Sequence, residues 1–272
     1  MNRRAFLLSA AAITAAPNAK LRIGVMDGVV SKRSDPAAVG MAKRLGLEGL
    51  QVTLGAAAPG QPLPLSDGTL QARFLAESRV HGVPLVSTYI DILHTHCLKS
   101  DTEALRRAVE GIEITRRLGA KILMLVFFGK CALNNRAEMD AVVGPLKELA
   151  PHAEKAGVVL GFENVIPAAD NLRILDQVGS RALQVFYDIG NATNLGGWAP
   201  AEEIRAMGRQ RICQFHFKDK GYLGEGKVDV KAALAAISEI GFGGQIVLET
   251  GAPSKDIEAD LRRNVAYLRG LL

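Results

Sequence analysis

The sequence predicts an α/β protein, a (β/α)8 TIM barrel forming a single domain behind a signal peptide. Three observations carry this. The 272 residues are 48% apolar and 22% charged, enough to build one large core and too apolar for disorder. Eight short apolar runs alternate with amphipathic helical stretches, the pattern of parallel strands joined by helical crossovers. No G-x-G-x-x-G follows the first run, which argues against a doubly wound open sheet.

The chain begins "MNRRAFLLSAAAITAAP". Two arginines, Arg3 and Arg4, precede an apolar run from Ala5 to Ala16, and no acidic residue occurs before Asp27. This is the layout of a twin-arginine secretory signal, placed at residues 1–19, with the barrel over 20–272. Export to the periplasm is the expectation. The apolar run is too short to span a bilayer as a helix, so no stable membrane association is expected after cleavage.

The eight strands follow in order: "LRIGVMDG" from Leu21, "LEGLQVTL" from Leu47, "VPLVSTYID" from Val83 and "AKILMLVFF" from Ala120. Then come "VVLGFENV" from Val158, "LQVFYDIGN" from Leu183, "ICQFHFKD" from Ile212 and "GQIVLET" from Gly244. Their near-continuous apolar character suits strands covered by helices. The clearest helix, "DTEALRRAVEGIEITRRLG", has Asp101 as its capping candidate and Gly119 as its stop. "DVKAALAAISEIGF", opened by Asp229, and "DIEADLRRNVAYLRGLL" complete the barrel.

Lys and Arg number 33 against 28 Asp and Glu, a net charge of +5, but the charges are spread along the chain without a basic stripe or stacking aromatics. Nucleic acid is therefore not an expected partner. Of the three cysteines, Cys213 alternates with Phe215 and Phe217 on the face opposite His216 and reads as a buried thiol. Cys97 and Cys131 follow successive strands; two free thiols are the favoured reading, with pairing open in an oxidising compartment.

Barrel active sites form at the C-terminal mouth, so inward residues at strand ends are where chemistry is sought. The last four strands end in Glu163, Asp188, His216 and Glu249. Three carboxylates in one mouth repel one another and raise their own pKa values unless a cation sits between them. One divalent metal ion resolves that cost. An oxygen-rich set with one imidazole suits Mn2+ or Mg2+, with Co2+ or Zn2+ also accommodated.

"GFENV", "YDIGN", "FHFKD…GEGKVD" and "VLET", in this order, resemble the sugar phosphate isomerase/epimerase superfamily of xylose-isomerase-like barrels, which includes ketose 3-epimerases and hydroxypyruvate isomerase. The resemblance covers essentially the whole mature chain. It implies that Glu163, Asp188, His216 and Glu249 are metal ligands and, as in the epimerases, that Glu163 and Glu249 are the acid–base pair. Such a metal would stabilise the enediolate formed when a proton α to a carbonyl leaves, and two carboxylates on opposite faces could exchange that proton. The implied function is a metal-dependent keto-sugar isomerase or epimerase with a small-molecule sugar as partner. A lyase or hydrolase of keto-sugars, or a sugar-binding protein without catalysis, are the competing readings. Homo-oligomerisation is left open.

Four further residues are candidate substrate contacts. Lys218, two residues beyond His216, shares its inward face. Asn191 stands three residues after Asp188, where some relatives place a second histidine. His96, with His94 in "LHTH", lies in a loop after the third strand and is placed to meet substrate or solvent rather than metal. Trp198, the only tryptophan, is expected either to stack on a sugar face or to pack under its loop. Phe127 and Phe128 are read as core, with an apolar cavity wall as the alternative. Asp229 is expected to cap its helix rather than touch substrate. With only five histidines, a three-zinc nuclease site is not expected.

Overall fold

The computed structural model describes residues 20–56 and 61–272; the expected leader at 1–19 lies outside the described residues. The strands are β1 (Arg22–Met26), β2 (Leu50–Thr53), β3 (Leu85–Tyr89), β4 (Ile122–Val126), β5 (Val159–Glu163), β6 (Leu183–Asp188), β7 (Ile212–Phe217) and β8 (Gln245–Leu248). All are parallel, each pairs with its neighbour in sequence, and β8 pairs with β1 to close the barrel. Every apolar run read from the sequence contains one of them.

The three helices bounded in the sequence begin where it places their starts. Asp101 caps Thr102–Arg117 by accepting from the Glu103 N–H, and Gly119 follows at φ 73°. Asp229 caps Val230–Glu239 through the Ala232 N–H, and Asp256 caps Ile257–Arg269 through the Ala259 N–H. The helices cover the outward side chains of the strands. Among the described residues no helix is long and apolar enough to cross a membrane.

Inside the barrel, size alternation makes room. A Cβ on Gly161 would stand 3.1 Å from the Phe186 ring, so glycine on β5 admits the large side chain of β6. Phe186 is fully buried, a burial contributing about 1.5–3 kcal/mol, and its ring lies 4.5 Å from that of His216.

Register sets the height of the polar strand ends. Between β6 and β7 the pairing slips, running Val185 to Ile212 and then Phe186 to Gln214, with one extra residue on β7. The slip brings Asp188 beside His216; without it Asp188 would face Phe215. The Glu249 N–H, one residue past β8, donates to the Phe217 carbonyl at 3.1 Å, which holds Glu249 at the same level.

Candidate active site

β5, β6 and β7 and the residue after β8 bring Glu163, Asp188, His216 and Glu249 together at the C-terminal mouth. One ligand atom from each lies within 4.8 Å of the others. Glu163, Asp188 and His216 are buried and Glu249 is half-buried. Nδ1 of His216 is 3.1 Å from Glu163 Oε1, 3.1 Å from Glu249 Oε2 and 3.9 Å from Asp188 Oδ2. Lys218, the next inward residue, places Nζ 2.8 Å from both Asp188 Oδ2 and Glu249 Oε2. Glycine at 190 permits this: a Cβ there would stand 2.5 Å from Lys218 Cγ and 2.6 Å from its carbonyl oxygen.

The electrostatics follow from crowding. Burial raises the pKa of Asp188 to about 6, with Lys218 opposing and the charges of Glu249 and Glu163 adding to it. Burial pushes the His216 imidazole down, but Glu249 and Glu163 outweigh it and lift it to about 10. For Glu249, burial raises the pKa, yet His216 and Lys218 overcome that and hold the carboxyl well below its usual range. Positive charge is what this cluster attracts.

The residues fit a divalent cation on two counts. Asp188 Oδ1 accepts the Asn191 N–H at 2.8 Å, whereas Oδ2, fully buried, faces cationic groups, the Lys218 ammonium at 2.8 Å and His216 Nδ1 at 3.9 Å. The second count is His216. Its Nε2 lies 2.7 Å from Oε1 of Gln51 on β2, and the Gln51 amide nitrogen faces Met124 Sδ at 3.5 Å. With Gln51 in that orientation, Nε2–H donates to Oε1, so that Nδ1 is the nitrogen turned to the carboxylates: it carries the second proton of the imidazolium and becomes the ligand atom when a cation displaces that proton. Gln51 carries no motif. Its signal in the sequence is a single amide inside the apolar run "LQVTL".

A cavity of about 170 Å3 opens beside the cluster, lined by Tyr89, His94, Met124, Val126, Phe128, Glu163, Asn191, Lys218 and Glu249. Lys218 and Asn191 thus line it. His96 and Trp198 do not. The His96 Nδ1 is turned to the helix-capping Asp101 at 2.6 Å, and Trp198 packs on Gly196, where a Cβ would overlap its ring, and against the core. His94, not His96, is the histidine of "LHTH" that reaches the cavity, and Phe128 is a cavity wall while Phe127 packs edge-on against Phe162 in the core. Tyr89, at the end of β3, carries no motif in the sequence. A larger open groove of about 400 Å3 on the barrel's outside, between helices Thr102–Arg117 and Val143–Ala156, holds Glu113 and Arg116 already paired with each other and none of the buried cluster.

Two loops differ from expectation or confirm it. Cys97 and Cys131 form a disulfide, with Cα atoms 4.8 Å apart, where the sequence favoured free thiols. Both follow strand ends at the same rim, and parallel neighbours β3 and β4 bring their loops together, a proximity invisible in a separation of 34 residues. After β7, Asp219 organises the glycine-rich loop by accepting the N–H groups of Lys220, Lys227 and Val228. Cys213 is half-buried, and burial pushes its thiol up to about 12.

A family model described as xylose isomerase-like TIM barrel matches residues 39–271. The chain is 28% identical over 216 residues to the 2-epi-5-epi-valiolone 7-phosphate 2-epimerase of Actinoplanes sp., covering 75% of this chain and 77% of that protein. Among solved structures, a D-allulose 3-epimerase from Methylomonas sp. in complex with D-allulose superposes with a TM-score of 0.75 at 18% identity, over 95% of this chain and 99% of that one. A 3-keto-D-glucoside 4-epimerase from E. coli gives 0.73 at 17%, over 92% and 100%. At these identities the structures establish the shared fold.

Proposed function

Because the chain belongs to the xylose isomerase-like TIM barrel family, we propose that it is a divalent-metal-dependent epimerase or isomerase of an unphosphorylated keto-sugar. The observation that carries this is the convergence of Glu163, Asp188, His216 and Glu249 within 4.8 Å beside a cavity of monosaccharide scale, well below the roughly 300–1,000 Å3 of drug-sized sites. These four side chains would hold the ion, with Mn2+ or Mg2+ preferred by an oxygen-rich set. When bound, the ion supplies a Lewis acid for the substrate's carbonyl and neighbouring hydroxyl oxygens.

The chain's own residues do the rest. Glu163 and Glu249 approach the cavity from different strands, so one takes the proton from the carbon next to the carbonyl and the other returns one to the opposite face, inverting the centre. Glu249, whose pKa is depressed, is an ionised base at neutral pH. Lys218 directs its ammonium at the same oxygens and stabilises negative charge that develops there. Asn191 offers its amide to a hydroxyl. Met124, Val126 and Phe128 give the sugar an apolar face to lie on.

Two features support an unphosphorylated substrate and export. Among the described residues lining the cavity, Lys218 is the one lysine or arginine, and its ammonium stands at the carboxylate cluster, so the cavity offers no second such cation for a phosphate. The twin-arginine pattern at 1–19 and the Cys97–Cys131 disulfide both suit an oxidising compartment such as the periplasm.

The test is deuterium exchange. Mn2+-loaded protein incubated with keto-sugars in D2O is expected to incorporate deuterium at the carbon beside the carbonyl without losing a substituent. Glu249→Gln should lower that rate by about 10²–10⁴-fold. Loss of water or an aglycone in place of exchange would identify a lyase or hydrolase. Metal retention with no exchange in any ketose would overturn the proposal.

A further inference from the structure

Across the cavity from the carboxylates, a second polar group is built into the mouth. Tyr89, at the end of β3, is buried, and its hydroxyl lies 2.7 Å from Asp91 Oδ1 and 2.6 Å from His94 Nε2. Asp91 Oδ2 is ion-paired with Arg33 at 2.7 Å. The His94 ring is edge-on to Tyr89 at 6.0 Å and tilted over Phe128 at 6.1 Å. The loop bearing His94 is tied down as well: Cys97 is disulfide-bonded to Cys131, whose Sγ sits 3.5 Å from the His94 carbonyl. Tyr89, His94 and Phe128 all line the cavity, and none belongs to the cluster of candidate ligands.

Hydrogen-bond accounting fixes what this group offers. A carboxylate paired with a guanidinium only accepts, so the Tyr89 O–H donates to Asp91. The tyrosine oxygen then receives a hydrogen bond from the His94 Nε2–H. With the imidazole neutral, that leaves two acceptors: the remaining lone pair of the Tyr89 oxygen and Nδ1 of His94. Acceptors match a ligand group that donates.

We infer that Tyr89 and His94 form a specificity-determining subsite that reads a hydroxyl at the end of the sugar remote from the reacting carbonyl and turns away a phosphate ester at that position. A phosphate dianion has only acceptor oxygens to present to acceptors. A sugar hydroxyl donates, and Phe128 covers an adjacent C–H face. The inference rests on the keto-sugar reading of the same cavity.

The experiment is calorimetric titration of the Mn2+-loaded protein with D-allulose, D-fructose and D-tagatose, then with single-deoxy analogues and the terminal phosphate ester of whichever ketose binds best. Tyr89→Phe and His94→Leu should each raise Kd about 3- to 10-fold. That penalty should vanish for the one deoxy analogue lacking the hydroxyl that is read. The phosphate ester should bind wild type more weakly than the free sugar. An equal penalty for every analogue marks a structural role and overturns the inference, as does no penalty, or tighter binding of the phosphate ester. If wild type keeps its metal and binds no ketose, the keto-sugar reading falls and takes the subsite with it. If ketose binds and only the variant pattern fails, the subsite alone falls.

Discussion

Gln51→Met isolates the hydrogen bond that orients His216. Methionine keeps the length of the side chain and removes its acceptor, in a position with no solvent access. His216 is equally buried, so its Nε2–H, now 2.7 Å from Gln51 Oε1, would lose its only acceptor and find no water to replace it. A buried donor stripped of its partner costs about 1–3 kcal/mol. Loss of the partner behind a metal-binding histidine weakens metal by about 10–100-fold, or roughly 1.4–2.8 kcal/mol, so the two routes to a magnitude agree. The assay is competition of Mn2+ between protein and a chromophoric chelator, with thermal unfolding of the metal-free protein as control. The expected result is a tenfold or greater loss of affinity, substantially restored in Gln51→Glu, whose carboxylate again accepts from Nε2–H. Affinity within twofold of wild type, alongside lower metal-free stability, would refute the reasoning: the bond would then serve the barrel and not the ligand.

Three further outcomes follow from the structure. The disulfide closes a loop of 34 residues, which corresponds to about 3–4 kcal/mol of lost chain entropy in the unfolded state; Cys97→Ser, or reduction, should lower the melting temperature. Alkylation of the unreduced, denatured chain should label Cys213 alone, and labelling at three sites would contradict the pairing. Burial raises the pKa of Glu110, but hydrogen bonds from the Ser66 hydroxyl, Arg107 and the Leu63 N–H, with the Arg107 charge, outweigh it and hold the carboxyl below its ordinary value. A depressed folded-state pKa contributes stability that is present above the unfolded value of about 4.3 and is lost as pH falls through the folded one. Urea unfolding from pH ~6 to ~3 should therefore show a shallower acid loss in Glu110→Gln than in wild type, and identical slopes would dismiss the effect.

Much of this architecture is legible because it rests on repeats that a linear pattern records. Eight apolar runs mark eight strands, and Asp101, Asp229 and Asp256 mark helix starts because capping is a local act of one side chain on backbone two or three residues away. The ligand-type residues are legible for a related reason: a carboxylate or imidazole that ends an apolar strand has an address at the rim. What escapes is contact between strands far apart in sequence. Gln51 and His216 meet across 165 residues, and Cys97 and Cys131 across two loops. His96 was placed near substrate because its loop is at the mouth, but Asp101, five residues on, draws its ring away. Trp198 offered two readings, and the close approach of Gly196 selects packing under the loop. Tyr89 ends its strand as the four ligand candidates do, yet a tyrosine there also reads as core.

The order of strands around the barrel divides labour between the two halves of the chain. β5 to β8 supply the four clustered side chains and Lys218, whereas β1 to β4 and their loops supply Gln51, Tyr89, His94 and Phe128. Because β4 joins β5 and β8 joins β1, the halves meet along two seams, and the cavity draws its lining from both halves. Substitutions in the first half can therefore reshape that side of the cavity while the four clustered side chains stay in place. During synthesis the consequence runs the other way. Tyr89, His94 and Phe128 leave the ribosome first, and the four side chains cannot assemble until Glu249 has emerged, so a chain cut short before β8 would carry most of a barrel without the completed cluster.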